Sequence, residues 1–244
     1  MVDDRSDIGT NRYLRTSENL QGDGVVAMAD YAMLIDLDLC IGCNACTVAC
    51  KVENSTPPGI FYSRVLELEM GVQPEVLRLF LPVLCNHCED APCITVCPTK
   101  ASHRAADGTV QIDDKKCIGC RTCMIACPYH ARSYTSRNNY YFAETPIPFP
   151  DIPKPEKMGI VQKCDFCTSR RLHGKEPVCV EACPTRCRIF GSIDDPNDGI
   201  NELIASEKSF QLLPDEGTRP KVHYLSKHKG KIVASRQTDG GLGY

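Results

Sequence analysis

The sequence predicts an α+β fold, in which short helices and β-hairpins form two nested modules with long loops and terminal arms. Three observations predict it. Sixteen of the 17 cysteines fall into four groups of four. Segments between the groups alternate apolar and polar residues, as strands do. Asp107-Gly108 stands between two such segments and marks a hairpin between the second and third groups.

The third group sets the chemistry. Cys117-Ile-Gly-Cys120-Arg-Thr-Cys123-Met-Ile-Ala-Cys127-Pro128 has the spacing C-x2-C-x2-C-x3-C-P. That is the ligand run of bacterial [4Fe–4S] ferredoxins. Three cysteines curl round one cubane, and the fourth points away to a second cluster. The modules are therefore read as bacterial-ferredoxin-like, each a β-hairpin with short helices. The other runs are Cys40, Cys43, Cys46, Cys50; Cys85, Cys88, Cys93, Cys97; and Cys164, Cys167, Cys179, Cys183. The second run widens its middle spacing to x4, and the fourth inserts 11 residues. Lys51 follows Cys50 where the other runs carry proline. Paired C-x2-C units also suit zinc. A third cysteine at x2 and a fourth at x3 before proline do not, so iron is favoured. Disulfide scaffolds belong to short secreted chains with irregular spacing.

Composition narrows the function. An oxidised cubane with four thiolates carries about −2, so four clusters take the formal net charge of −3 to about −11. So acidic a protein is no nucleic-acid binder. No stretch is long and apolar enough to span a bilayer. Residues 1–7 lack the features of a signal peptide, so work outside the cytoplasm implies export with a partner.

In chain order, residues 1–30 read either as a disordered tail or as an N-terminal arm laid along a partner, the arm being favoured because Tyr13, Leu14, Val25 and Val26 give it something to bury. Residues 31–56 and 160–195 form a discontinuous outer module, begun by a strand within Tyr31–Leu39. Gly42 supplies the free φ that a tight cluster loop needs. Residues 57–84 are connecting strands. Residues 85–136 form the inner module, in which hairpin 102–112 separates two runs. Residues 137–159 are a proline-rich insertion that is neither helix nor central strand. It reads equally as a solvated loop or a stiff docking arm. Residues 196–244 hold a short helix at Ile200–Phe210, a strand at Val222–Leu225 and a basic tail from Ser226 that is either mobile or docked on the surface.

Two pairings of the runs are open. Tandem pairing joins the first run to the second and the third to the fourth. Nested pairing joins the second to the third and the first to the fourth. Only 19 residues separate Cys97 from Cys117, against 34 and 36 in the other two gaps, which favours nesting. Nesting gives Cys40, Cys43, Cys46 and Cys183 to cluster 1, and Cys164, Cys167, Cys179 and Cys50 to cluster 2. It gives Cys85, Cys88, Cys93 and Cys127 to cluster 3, and Cys117, Cys120, Cys123 and Cys97 to cluster 4. The total is four [4Fe–4S] clusters held by sixteen cysteines, with no catalytic residue. Cys187 is left over and reads as a buried free thiol. His87 either donates a hydrogen bond that raises a cluster potential or is a plain surface histidine. Lys51, Arg121 and Lys163 lie beside ligands and bias potentials by their charge.

From Tyr31 to about Leu225 the chain resembles the four-cluster iron–sulfur subunits of the dimethyl sulfoxide reductase superfamily. The four runs in order carry the resemblance, with x4 in the second and x11 in the fourth. Tyr31-Ala-Met, Cys183-Pro-Thr-Arg-Cys187-Arg-Ile-Phe-Gly191 and Gly217-Thr-Arg-Pro-Lys-Val-His-Tyr-Leu225 most resemble the polysulfide reductase branch. Arsenate, thiosulfate, tetrathionate and sulfite enzymes have similar subunits. Some members carry tryptophan at the position of Cys93, and cysteine here favours a full [4Fe–4S] cluster. The resemblance implies a molybdenum or tungsten bis-pterin catalytic partner and a multi-span, quinone-reactive membrane partner, as in anaerobic respiration. The chain would then be a peripheral, membrane-associated electron relay, on the cytoplasmic face or in the periplasm. The alternative is an independent soluble polyferredoxin shuttle. An enzyme acting alone finds no support, since all sixteen motif cysteines serve as ligands.

Overall fold

A computed structural model describes residues 30–136 and 157–232. The arm before residue 30, most of the proline-rich insertion and the tail beyond 232 lie outside the described residues.

The largest sheet has four strands. β1 (Tyr31–Asp36) lies between β8 (Arg188–Ser192), antiparallel, and β10 (Val222–Leu225), parallel, with β9 (Ser209–Phe210) on the outer side of β10. Ala32, Met33, Leu34 and Ile35 are all buried, because the strand is central and covered on both faces. Met33 and Ile35 join the main core, whereas Ala32 and Leu34 face a small core with Ile200 and Leu225. The sheet thus sets the stretch that leads into the first cysteine run beside the stretch that leaves the fourth.

α1 (Ala45–Glu53) carries Cys46 and Cys50 and packs on α5 (Val178–Glu181), which carries Cys179. A long hairpin follows α1, with β2 (Ser63–Met70) paired to β3 (Leu77–Leu84) in register Ser63↔Leu84 to Met70↔Leu77. The apolar stretches around Phe61–Met70 and Val76–Leu84 form this strand pair. α2 (Pro92–Thr95), with Cys93, packs on α3 (Thr122–Ile125), with Cys123. Between them runs the expected hairpin, β4 (Ser102–Arg104) with β5 (Val110–Ile112). β6 (Ser133–Tyr134) pairs with β7 (Val161–Gln162), and α4 (Thr168–Leu172) occupies the 11-residue insertion of the fourth run.

The missing proline after Cys50 has a visible effect. α2, α3 and α5 are four residues long and stop before Cys-Pro, where the ring cannot extend a helix. With Lys51 in that place, α1 runs on for nine residues through Glu53.

One expectation needs correction, and one open alternative is decided for the described residues. The helix expected over Ile200–Phe210 ends early, as α6 (Ile200–Ile204). Phe210 is instead drawn into β9, buried beside Tyr224 with ring centroids 5.8 Å apart. The basic tail is docked at its start: Ile232 is buried, and Lys229 Nζ donates to the carbonyls of Glu207 (3.0 Å) and Ser209 (2.7 Å).

Candidate metal centres

None of the seventeen cysteines is in a disulfide, and most lie in the main core. Each run repeats one local backbone. The residue just before the second cysteine is left-handed in every case: Gly42 (φ 70°), His87 (44°), Gly119 (67°) and Phe166 (56°). This turn reverses the chain between the first two cysteines of each run. In two runs glycine adopts it without strain. At Gly42 a Cβ would also collide with the ring of Phe80.

The other two runs place aromatic side chains there, and these stack on one another. His87 and Phe166 have ring centroids 3.8 Å apart. Phe166 meets Phe190 edge-on at 5.3 Å, and Phe190 stacks on Tyr31 at 5.1 Å. His87 is therefore no surface histidine: it is fully buried. Its Nδ1 accepts a hydrogen bond from the Val110 amide at 3.1 Å, which leaves Nε2 as the ring's donor nitrogen. Burial and the nearby Lys163 charge push its pKa well below the ordinary histidine value, so the ring is neutral. Its Nε2 has no partner among the described residues.

Exposure differs between the runs. Cys43 and Cys120, the second cysteines of the first and third runs, are exposed. All four cysteines of the fourth run are buried, as are Cys85, Cys88 and Cys93 of the second. Exposed apolar side chains flank the two open ligands: Leu39, Ile41, Val48 and Val52 near Cys43, and Ile118 and Ile125 near Cys120.

The donors fit iron–sulfur clusters. Cys97, Cys117, Cys120 and Cys123 line one cavity with Ile112, Ile118 and Val161. Backbone amides point at ligand sulfurs: Val161 to Cys117 (3.5 Å), Ser102 to Cys97 (3.4 Å) and Phe166 to Cys164 (3.4 Å). The Thr122 hydroxyl and the Asn54 amide do the same to Cys120 and Cys50, each at 3.5 Å. Such donors stabilise sulfur that carries negative charge. Among the described residues, no three His, Cys, Asp or Glu side chains converge closely enough for a single ion. A cubane spreads its four ligands over four irons, so its sulfurs stand farther apart. Burial pushes the thiols of Cys88 and Cys167 up to about 12. Deep in the protein, thiolates need the iron.

The basic residues singled out from the sequence lie as follows. Lys51 Nζ bonds the carbonyls of Pro57 (3.1 Å) and Ile60 (2.7 Å), tying α1 to the next loop. Arg121 lies over the Tyr134 ring at 5.0 Å. Lys163 is buried and donates to the Cys164 carbonyl at 2.8 Å and to that of Val110. Sequence reasoning missed Arg132 and Arg188, both buried. An isolated buried cation costs several kcal/mol. The signal was present as C-P-x3-R after Cys127 and Cys183. Cys187 is buried as expected, with its sulfur 3.5 Å from that of Cys183.

The chain matches a 4Fe-4S dicluster domain over residues 76–145 and again over 135–193, and a 4Fe-4S binding domain over 31–52. It is 39% identical over 212 residues to a putative dimethyl sulfoxide reductase iron-sulfur subunit of Halobacterium salinarum, covering 82% of this chain and 80% of that one.

The chain belongs to the iron–sulfur subunits of the dimethyl sulfoxide reductase family.

Further relatives in the family include the arsenate respiratory reductase iron-sulfur subunit ArrB of a Shewanella species, 36% identical over 79% of this chain and 94% of that one. A tetrathionate reductase subunit of Salmonella typhimurium is 40% identical over 80% of this chain and 72% of that one. As an iron–sulfur subunit of this family, the chain relays electrons through four [4Fe–4S] clusters. Relatives named as subunits of reductases imply a catalytic partner. No helix among the described residues is long and apolar enough to cross a membrane.

Proposed function

We propose that this chain is a non-catalytic relay between a molybdenum or tungsten bis-pterin catalytic subunit and a multi-span, quinone-reactive membrane subunit. The observation that carries it is the contrast in exposure. The first and third runs each open one cysteine to solvent inside an apolar rim, whereas the fourth run and most of the second are sealed. A relay needs two places where electrons cross to a partner and a protected path between them. Tunnelling falls off steeply with distance, so the path needs stepping stones.

The reading includes nested pairing, with residues 31–56 and 160–195 as the outer module and 85–136 as the inner. Three features support it. The four-stranded sheet sets the first run beside the fourth, α1 packs on α5, and α2 packs on α3. Cys97 also lines one cavity with Cys117, Cys120 and Cys123. The chain would sit at a membrane through its partner. Relatives named for an arsenate reductase, a tetrathionate reductase and a sulfite dehydrogenase favour a respiratory oxyanion or sulfur compound as the substrate of the catalytic subunit, and the resemblance to the polysulfide reductase branch extends the range to polysulfide and thiosulfate.

Purification from native membranes under argon tests this, with iron and molybdenum or tungsten counted. The expected result is about sixteen irons on this chain, together with a large pterin subunit and a multi-span partner. Sixteen irons on a lone soluble chain would overturn it in favour of a polyferredoxin shuttle.

A further inference from the structure

Arg132 and Arg188 occupy matching places in the chain. Each follows the fourth cysteine of its run by five residues, Cys127 and Cys183 respectively. Each sends one guanidinium nitrogen to a serine: Arg132 Nη1 to Ser102 Oγ at 2.9 Å, and Arg188 Nη2 to Ser63 Oγ at 3.0 Å. Arg188 Nη1 also lies 3.8 Å from Met33 Sδ. Each keeps one buried nitrogen without a partner among the described residues, Arg132 Nη2 and Arg188 Nε. No carboxylate among the described residues pairs with either.

The negative charge around each comes from ligand sulfurs. Burial works to lower the pKa of Arg132, yet Cys93, Cys85 and Cys123 hold it above the usual arginine value. For Arg188 burial again opposes, and Cys179 and Cys46 lead the groups that raise it. The packing agrees: Cys93 on α2 and Cys123 on α3 belong to helices that pack together, as do Cys179 on α5 and Cys46 on α1, and one buried arginine accompanies each helix pair.

We propose that Arg132 and Arg188 are a matched pair of electrostatic clamps, each placed between two clusters. Each raises the reduction potentials of its two neighbours and weakens the repulsion between electrons held on both. A buried cation is poorly screened, so one charge acts on two anionic cofactors at once. That the two neighbours share a module rests on the nested pairing proposed above. Which clusters respond rests only on the positions of the sulfurs.

The test is a redox titration of the intact complex, followed by electron paramagnetic resonance, for Arg188→Gln, Arg188→Lys and Arg132→Gln. Arg188→Gln is expected to lower the potentials of the clusters bound by Cys46 and Cys179. The shift is at least tenfold in the reduction equilibrium, about 59 mV for a one-electron couple. The clusters bound by Cys93 and Cys123 stay in place. Arg132→Gln gives the mirror result, and Arg188→Lys keeps most of the wild-type potentials. An unshifted titration, an equal shift in all four clusters, or an Arg188→Lys shift as large as that of Arg188→Gln would overturn the proposal. So would loss of clusters from both glutamine variants, since the arginines would then be structural. A failure of nesting shows separately: Cys183→Ser would then damage the cluster of the third run, with the arginine pattern unchanged.

Discussion

The first and third cysteine runs solve the same backbone problem as the second and fourth, but with different residues. All four need a left-handed residue before the second cysteine. The first and third use glycine, and their second cysteine reaches solvent. The second and fourth use His87 and Phe166, whose second cysteines are buried. A non-glycine residue in that region costs about 1–2 kcal/mol. The stack of His87 on Phe166, extended to Phe190 and Tyr31, offsets that cost by burying aromatic surface. Glycine thus stands where the second cysteine is open to solvent, and strained aromatics stand where it is buried.

Removing iron should break both kinds of run. Exhaustive chelation under reducing conditions is expected to abolish the cooperative thermal transition in circular dichroism, since cluster binding is part of the folding energy. Partial chelation sharpens the comparison. Iron should leave first from the open runs, with the resonance signals of the Cys43 and Cys120 clusters lost before the others.

Cys183→Ser is next in size. Nested pairing predicts damage to the cluster of the first run, read as loss or conversion of one signal. Tandem pairing predicts damage at the third run instead.

Phe166→Ala removes the centre of the aromatic stack and should cost about 3–5 kcal/mol, as large core truncations do. The check is a lowered Tm with all four clusters still loaded at low temperature. Gly119→Ala forces a side chain into a left-handed turn and against the Gly159 carbonyl. A loss of at least about 1–2 kcal/mol is expected. The smallest effect on stability should come from Ile125→Ser. Ile125 is 86% exposed, so Tm should change by the equivalent of about 0.5 kcal/mol or less. Binding to the partner complex should weaken nonetheless, as co-purification would show.

Much of this is legible in the sequence, because iron–sulfur ligation imposes fixed spacings. The four runs, the 102–112 hairpin, β1 and β10 all follow from cysteine spacing, turn residues and alternation. His87 escapes such reading because glycine announces a left-handed turn and histidine does not. Its burial depends on Phe166, 79 residues away in sequence. Arg132 and Arg188 escape it for a related reason. A charged residue ordinarily signals a surface, and only the anionic surroundings make a buried arginine sensible. The end of α6 depends on Phe210 pairing with Tyr224 across a sheet whose partners are scattered along the chain.

The relay itself is tested most directly in the middle of the path. Cys164 lies in the fourth run, all four of whose cysteines are buried. In the intact complex, Cys164→Ser should stop turnover driven by quinol while leaving turnover driven by a soluble dye at the catalytic subunit near wild type. Quinol-driven turnover at the wild-type rate, with that cluster shown to be absent, would contradict the account.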